Sequence, residues 1–171
     1  MSFEGLDALV RAGTRRPLWN PSRATREIRM DRKEIEELIP HRDPFLFVDA
    51  ITAVDLENSS IRGERFISPA DPVFTGHFPG SPVYPGVLLL ETIGQFGLCL
   101  MHFLKDVPAS SLRAIRIHHA AFLAEVRPEQ RLDVVASVVN QNDYTAVCAG
   151  QILRNETICA FGVMEVYFVE E

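Results

Sequence analysis

Cysteine is scarce in this sequence, and the three that occur (Cys99, Cys148 and Cys159) form no Cys-x-x-Cys pair. An odd, widely spaced set argues against a disulfide-stapled domain and a structural zinc site, and it is typical of a reducing compartment. No stretch of 18 residues is uninterruptedly apolar, and the N-terminus lacks the basic and then apolar layout of a secretory signal. We therefore expect a soluble cytoplasmic protein with no membrane-spanning segment.

The rest of the composition favours one folded domain. The chain has 171 residues, of which 47% are hydrophobic and 23% are charged, so it can bury a sizeable core and is not disordered as a whole. Five prolines and two glycines fall within residues 68–85, which predicts a long structured loop. Loops of that length within a compact domain usually carry function.

Charge is distributed unevenly along the chain. Residues 1–33 hold eight basic and four acidic side chains, a net charge of +4, whereas residues 34–171 hold nine basic and 19 acidic ones, a net charge of −10. We interpret residues 1–30 as a basic N-terminal arm that precedes a single domain at residues 31–171. Such an arm could bind nucleic acid, anionic lipid or an acidic protein, lie on its own acidic body, or be a solvated tail. It has too few aromatic residues to favour nucleic acid.

Local sequence patterns predict an α+β fold. Asp31 and Glu34 have the spacing of a capping box and open a short helix that Pro40 stops, and another short amphipathic helix is expected within the first dozen residues. Pro85 and Gly86 open a helix of about 20 residues that is apolar nearly all round, so we expect it to be buried on most sides. Strands are predicted at residues 45–54, 61–67, 112–124, 131–141, 143–154 and 157–169. One buried helix followed by long strands indicates an antiparallel sheet curled around that helix.

Three groups near the start of the long helix could carry chemistry. Glu91 lies in the second turn of this helix among apolar neighbours, where desolvation favours the protonated form that a general acid requires. Alternatively, Gln95 hydrogen-bonds the Glu91 carboxylate from one turn later, or the carboxylate reaches solvent. His77, in the proline-rich loop, could move a proton at neutral pH or be a hydrogen-bonding strut. Gly86 offers an unobstructed N–H to developing negative charge, or is an ordinary helix start. Together these groups could remove a proton beside a carbonyl and expel a β-hydroxyl.

Two segments carry a resemblance to a known family. Residues 76–95, Gly-His-Phe-Pro-Gly-Ser-Pro-Val-Tyr-Pro-Gly-Val-Leu-Leu-Leu-Glu-Thr-Ile-Gly-Gln, closely resemble the active-site segment of the 3-hydroxyacyl-(acyl carrier protein) dehydratases of bacterial fatty acid synthesis. Residues 38–49, Leu-Ile-Pro-His-Arg-Asp-Pro-Phe-Leu-Phe-Val-Asp, resemble that family's N-terminal signature. The resemblance runs from about Glu34 to Val169. It implies the hot-dog fold, in which an antiparallel sheet wraps a long central helix.

The same resemblance implies roles for the candidate residues. His77 matches the family's catalytic histidine and Glu91 its catalytic carboxylate, which two subunits contribute to one site at a dimer interface. Gly86 matches the residue whose N–H binds the thioester carbonyl, and Val83 matches one whose backbone carbonyl orients the histidine. A glutamate rather than an aspartate at position 91 resembles the dehydratase-only branch of the family.

The resemblance also implies substrate and partners. Phe78 and Gln95 are expected to contact a 3-hydroxyacyl group on the phosphopantetheine of acyl carrier protein, in fatty acid or polyketide-type synthesis. No metal or redox cofactor is expected, because the thioester itself stabilises the carbanion. The expected assembly is a dimer or a trimer of dimers, with neither nucleic acid nor membrane as a partner.

These residues leave open which surface docks the carrier protein and which reaction follows. Carrier proteins are acidic, and the basic pattern that the family usually has in the strand after the helix is here His118-His119-Ala120-Ala121. Residues 1–33, with a net charge of +4, are the one basic segment that could replace this pattern. A hot-dog acyl thioesterase, a dehydratase/isomerase and a non-catalytic acyl-binding subunit remain alternatives.

Overall fold

The computed structural model describes residues 4–105 and 111–169, which form one antiparallel sheet around a central helix. In chain order the elements are α1 (Leu6–Gly13), β1 (Arg26–Met30), α2 (Arg32–Leu38), β2 (Ala50–Asp55), β3 (Ser60–Phe66), a 3-10 helix (Pro72–Thr75), α3 (Gly86–Lys105), β4 (Leu112–Phe122), β5 (Arg131–Gln141), β6 (Thr145–Arg154) and β7 (Thr157–Phe168). The strand order is β1-β2-β3-β5-β6-β7-β4, and every neighbouring pair is antiparallel. The predicted α+β class is confirmed.

The core lies between α3 and the inner face of the sheet. Ile93 and Phe96 of α3 are fully buried there. Gly150 of β6 and Gly162 of β7 pair with each other beneath the helix, and a side chain at either position would collide with Ile93 or Leu90. These two glycines let α3 approach the sheet more closely than side chains would permit.

α3 is long and apolar enough to cross a membrane by length and composition alone. More than half of its most apolar stretch is nevertheless buried within the protein. The sheet therefore accounts for the apolar character of this helix, which is the core helix that the sequence predicts.

The predicted helix starts and late strands are confirmed. Asp31 and Glu34 form the capping box that begins α2, and the Pro85 carbonyl accepts hydrogen bonds from the first turn of α3. The four late strands lie where they are predicted, with ends shifted by at most two residues. Asn155 and Glu156 both have positive φ angles, 46° and 68°, and form the two-residue turn between β6 and β7.

The predicted strand at residues 45–54 is wrong in its first half, because β2 begins only at Ala50. The Asp49 N–H already donates to the Glu64 carbonyl of β3, but two backbone groups further back bind a side chain of α3 instead of a strand. The Phe47 N–H donates to Gln95 of α3, and the Phe45 carbonyl accepts from the same amide. An apolar run of this kind satisfies its buried backbone groups without joining a sheet.

The N-terminal segment packs as part of the domain from residue 5 onwards. Sequence analysis assigns residues 1–30 to an arm outside the domain, but Arg26–Met30 is the edge strand β1, paired with β2. The apolar side of α1 covers the outer face of the sheet, in a cluster formed by Leu6, Leu9, Val10 and Leu18 against Val147, Ala149, Phe161 and Val163. Buried Gln151 donates to the Gly13 and Arg16 carbonyls and accepts from the Leu18 N–H. Apolar contact and hydrogen bonds, rather than opposite charges, hold the segment in place.

A buried carboxylate fixes the second half of this segment. Asp55, at the end of β2, is fully buried and accepts hydrogen bonds from the Ser22 N–H, the Ser22 and Thr25 hydroxyls and the Asn58 N–H. Burial alone raises the pKa of Asp55, but the hydrogen bonds from Asn58, Ser22 and Thr25 outweigh it and hold the pKa well below its usual range. The ionised carboxylate is therefore the form that stabilises the fold.

We predict that Asp55→Asn lowers the thermal unfolding temperature at neutral pH. Because the folded-state pKa is depressed, the stabilisation is complete above the unfolded pKa of about 4 and is lost as the pH falls towards the folded value. The difference in unfolding temperature between wild type and variant should thus narrow below about pH 4. Calorimetry at several pH values measures this difference. The control is Asp143→Asn, which changes the same residue type at an exposed position. A difference in unfolding temperature that stays constant with pH would contradict the stabilising role of the ionised Asp55 carboxylate.

Candidate active site

His77 is held in one orientation by its own loop. Its Nδ1 lies 2.7 Å from the Val83 carbonyl oxygen, and the His77 backbone N–H donates to the Val73 carbonyl of the preceding 3-10 helix. A carbonyl oxygen only accepts, so Nδ1 carries the proton and Nε2 keeps its lone pair. The contact between His77 and Val83 that the resemblance implies is present, and it leaves the imidazole able to accept a proton at Nε2.

His77 shares a cavity of about 430 Å³ with the start of α3. Val83, Gly86, Val87 and the Phe122 ring also line this cavity. A side chain at position 86 would lie 2.8 Å from the Phe122 ring, so only glycine fits there without displacement. The first N–H groups of a helix lack intrahelical partners and sit at its positive end, so this cavity combines a proton acceptor with donors for negative charge.

Phe78 and Gln95, the two further residues predicted to contact substrate, lie in very different surroundings. The Phe78 ring is 55% exposed and stacks on the His77 ring with centroids 4.0 Å apart. Gln95 is fully buried: its Oε1 accepts from the Phe47 N–H, and its Nε2 donates to the Phe45 carbonyl and to Glu91 Oε1. The Gln95 amide is thus occupied within the protein and orients Glu91.

Glu91 faces a second cavity, of about 300 Å³, between α3 and β4. The two alternatives to a desolvated carboxylate are both present: Gln95 donates to Glu91, and the Glu91 side chain is 35% exposed in the single chain. Val87, Glu91, Gly94 and Leu98 follow one another at helical spacing and are all at least partly exposed, so they form a stripe of α3 that the sheet does not cover. The Glu91 carboxylate lies in the middle of this stripe.

His41 is a neighbour of Glu91 that sequence analysis missed. Its Nε2 lies 3.5 Å from Glu91 Oε1, its ring stacks on Phe45, and its Nδ1 is buried without a hydrogen-bond partner within residues 4–105 and 111–169. The two residues are 50 positions apart, so no local pattern could join them. Only the Pro-His-Arg element of the N-terminal signature marks the position in the sequence.

A single chain does not place His77 and Glu91 around one cavity. The His77 cavity and the Glu91 cavity have no lining residue in common. Gly86 and Glu91 are five residues apart on α3, which corresponds to a rise of about 7.5 Å along the helix. The two candidate groups therefore line separate cavities at different heights on α3.

The other reactive side chains point to no further centre. Cys99, Cys148 and Cys159 are free and buried, and burial raises the pKa of Cys99 and of Cys148 to about 12, which keeps these thiols protonated and unreactive. Within the described ranges, no group of three or more histidine, cysteine, aspartate or glutamate side chains is arranged to hold a metal ion.

Comparisons with known proteins match this geometry to a family. The FabA-like domain family matches residues 39–161 of the chain. A 3-hydroxyacyl-(acyl-carrier-protein) dehydratase FabZ from Aliarcobacter butzleri is 38% identical over 147 residues, covering 83% of this chain and 99% of the relative. A relative of the same name from Sorangium cellulosum is 33% identical over 152 residues, covering 88% and 97%.

Solved structures support the fold. The dehydratase heterocomplex ApeI:P from Xenorhabdus doucetiae superimposes with a TM-score of 0.66 at 13% identity, over 80% of this chain and 91% of that chain. An acyl-CoA hydrolase from Staphylococcus aureus gives a TM-score of 0.52 at 13% identity, over 68% and 66%. At these identities the likeness shows the fold alone, and the predicted hot-dog arrangement is confirmed.

We predict that Gln95→Met destabilises the protein by about 1–3 kcal/mol, because the Phe47 N–H and the Phe45 carbonyl lose their buried partner. Urea denaturation measures the free energy of unfolding. Gln141→Met, at an exposed position near the end of β5, is the matched control and should change it little. Equal stability of the two variants would show that the Gln95 amide does not hold this segment.

Proposed function

The chain belongs to the FabA-like domain family, and on that premise we propose that it removes water from a 3-hydroxyacyl thioester on acyl carrier protein. The product is the trans-2-enoyl thioester, formed during fatty acid synthesis in the cytoplasm. The observation that carries the proposal is His77, held by the Val83 carbonyl at Nδ1, in the same cavity as the start of α3 at Gly86.

His77 acts as the base. With Nδ1 bound to the Val83 carbonyl, Nε2 accepts the proton from the carbon next to the thioester carbonyl. The electron pair of that C–H bond moves into the carbonyl group and gives an enolate-like oxygen. The fixed Nδ1–H contact keeps the imidazole in the tautomer that this step requires.

The N-terminus of α3 stabilises the negative oxygen. The Gly86 N–H donates to the thioester oxygen, and the helix dipole adds a favourable potential at the same point. Gly86 has no side chain between this N–H and the cavity, and the Phe122 ring occupies the space where one would lie.

Glu91 supplies the proton for the leaving hydroxyl. As the enolate collapses, the C–O bond at the β-carbon breaks, its electron pair goes to the oxygen, and the Glu91 proton completes a water molecule. His77 has then gained one proton and Glu91 has lost one, and exchange with solvent restores both. Gln95, which donates to Glu91 Oε1, orients the carboxyl group for this step.

The Glu91 carboxylate of each site comes from a second copy of the chain. The uncovered stripe of α3 around Glu91 lies beside the edge strand β4, whose Ile115 and Ile117 are 55% and 58% exposed. In the sheet order β4 pairs with β7 alone, so its other edge is open to a symmetry-related strand. A dimer formed across this apolar face would carry two sites, each combining His77 of one protomer with Glu91 of the other. Trimers of such dimers are compatible with this arrangement.

We predict that His77→Ala and Glu91→Gln each lower turnover of a 3-hydroxyacyl thioester by at least about a hundredfold, because each removes a positioned acid or base. The double variant should be no slower than the slower single variant, since the two groups act as one unit. Mass spectrometry of the acyl product, which loses one water, measures turnover. His102→Ala and Glu57→Gln remove the same residue types elsewhere and should stay close to wild type.

The product also separates the rival activities. Release of free thiol in place of enoyl thioester would identify a thioesterase, and a shifted double bond would identify a dehydratase/isomerase. Near-normal turnover by either the His77 or the Glu91 variant would contradict the proposed mechanism.

A further inference from the structure

Six exposed arginines lie between the end of α1 and the end of β1. We call them the arginine strip: Arg11, Arg15, Arg16, Arg23, Arg26 and Arg29. None of them forms an ion pair within residues 4–105 and 111–169, although ten pairs are present elsewhere in those ranges. The strip also precedes residues 39–161, the part of the chain that the family model matches.

The backbone beneath the strip is anchored, so its charges have defined positions. Gln151 binds the Arg16 carbonyl and the Leu18 N–H, just after Arg15. Asp55 binds Ser22 and Thr25, on either side of Arg23. Exposed arginines on an anchored backbone lose less conformational freedom on binding than the same residues in a free tail would.

The α1 end of the strip lies across the sheet from the His77 cavity, whereas its other end lies on β1, at the opposite edge of the sheet from β4. Gly13, at the end of α1, is packed against the Phe161 ring of β7. Phe161 pairs with Ala121 of β4, and the next residue, Phe122, lines the His77 cavity and contacts Gly86. One thickness of sheet therefore separates this end of the strip from the cavity.

The chemistry of the strip fits an acidic protein surface. Residues 34–171 carry a net charge of −10, so an acidic partner is repelled by the body and attracted to the strip. The apolar residues of α1 face the sheet, which leaves no apolar side to enter a bilayer. Trp19 is half-buried beside a small cavity that Pro17 also lines, so it offers no open stacking platform for nucleic acid bases.

We infer that the arginine strip is the docking surface for an acidic face of the acyl carrier protein that delivers the substrate. This inference rests on the proposed function, because that reaction supplies the carrier as partner. The strip takes the place of the basic residues missing around His118 and His119. Its α1 end provides charge attraction at a fixed site across the sheet from the cavity, and the cavity itself binds the acyl group.

The test neutralises the strip without removing the segment, because deletion would uncover Phe161 and Val163. The triple variant Arg15→Gln, Arg16→Gln, Arg23→Gln is compared with wild type on a carrier-linked and on a carrier-free 3-hydroxyacyl thioester. We expect KM for the carrier-linked substrate to rise about three- to tenfold at low salt, with kcat unchanged and carrier-free turnover unaffected. The difference should shrink at about 0.3 M salt, where exposed charges are screened.

A binding measurement keeps this test independent of catalysis. Fluorescence anisotropy with labelled holo-acyl carrier protein should show weaker binding for the triple variant than for wild type, even if the wild type dehydrates neither substrate. Each of the three arginines is also changed singly to Gln. The matched control is Lys33→Gln, which removes one exposed charge from α2 and should leave carrier binding unchanged.

Three results would overturn the inference. One is equal loss on both substrates, which indicates a structural role for these arginines. Another is unchanged carrier binding and KM in the triple variant. The third is loss of binding to phosphatidylglycerol vesicles or to DNA with carrier binding intact, which would assign the strip to a different partner.

Discussion

Gly150 and Gly162 lie side by side beneath α3, and because neither has a side chain, the helix rests directly on the sheet. Leu90 and Ile93 fill the space that side chains there would need. The burial of α3 is the main source of apolar stabilisation in the fold, so any change that lifts the helix also opens the core. The same contact between helix and sheet sets the positions of Gly86 and Glu91, because both belong to α3.

The rest of the chain covers most of α3 but leaves one stripe uncovered, and that stripe organises the function. Glu91 lies in the stripe and lines one cavity, whereas the start of the helix at Gly86 lines another cavity together with His77. A fold that buried the stripe within one chain would enclose Glu91 and leave it no access to substrate. The buried amide of Gln95 links stability with chemistry here, since it holds both the segment before β2 and the Glu91 carboxylate.

Local patterns predict much of this structure, and long-range hydrogen bonds account for what they miss. The capping box at Asp31 and the start of α3 depend on neighbours within a few positions, so the sequence predicts them correctly. The segment before Ala50 reads as strand because its residues are β-branched and aromatic, yet its partner is Gln95, 48 positions from Phe47. The sequence leaves the place of the N-terminal segment open for the same reason, because Gln151, more than 130 positions away, holds it.

The proximity of His41 to Glu91 could not be predicted either, whereas the contact between His77 and Val83 could, because it lies within one loop. Family resemblance supplied the catalytic roles that local chemistry left open. Geometry added that His77 and Glu91 line separate cavities in one chain. The central claim is therefore that one active site is built from two protomers.

Mixed dimers test that claim most directly. His77→Ala and Glu91→Gln chains, each inactive alone, are co-expressed with different tags, and the mixed dimer is isolated by sequential affinity steps. One of its two sites then holds an intact histidine from one chain and an intact glutamate from the other. The account predicts dehydration at about half the wild-type rate per dimer. No activity in demonstrably mixed dimers would place both groups in the same protomer's site and contradict the account.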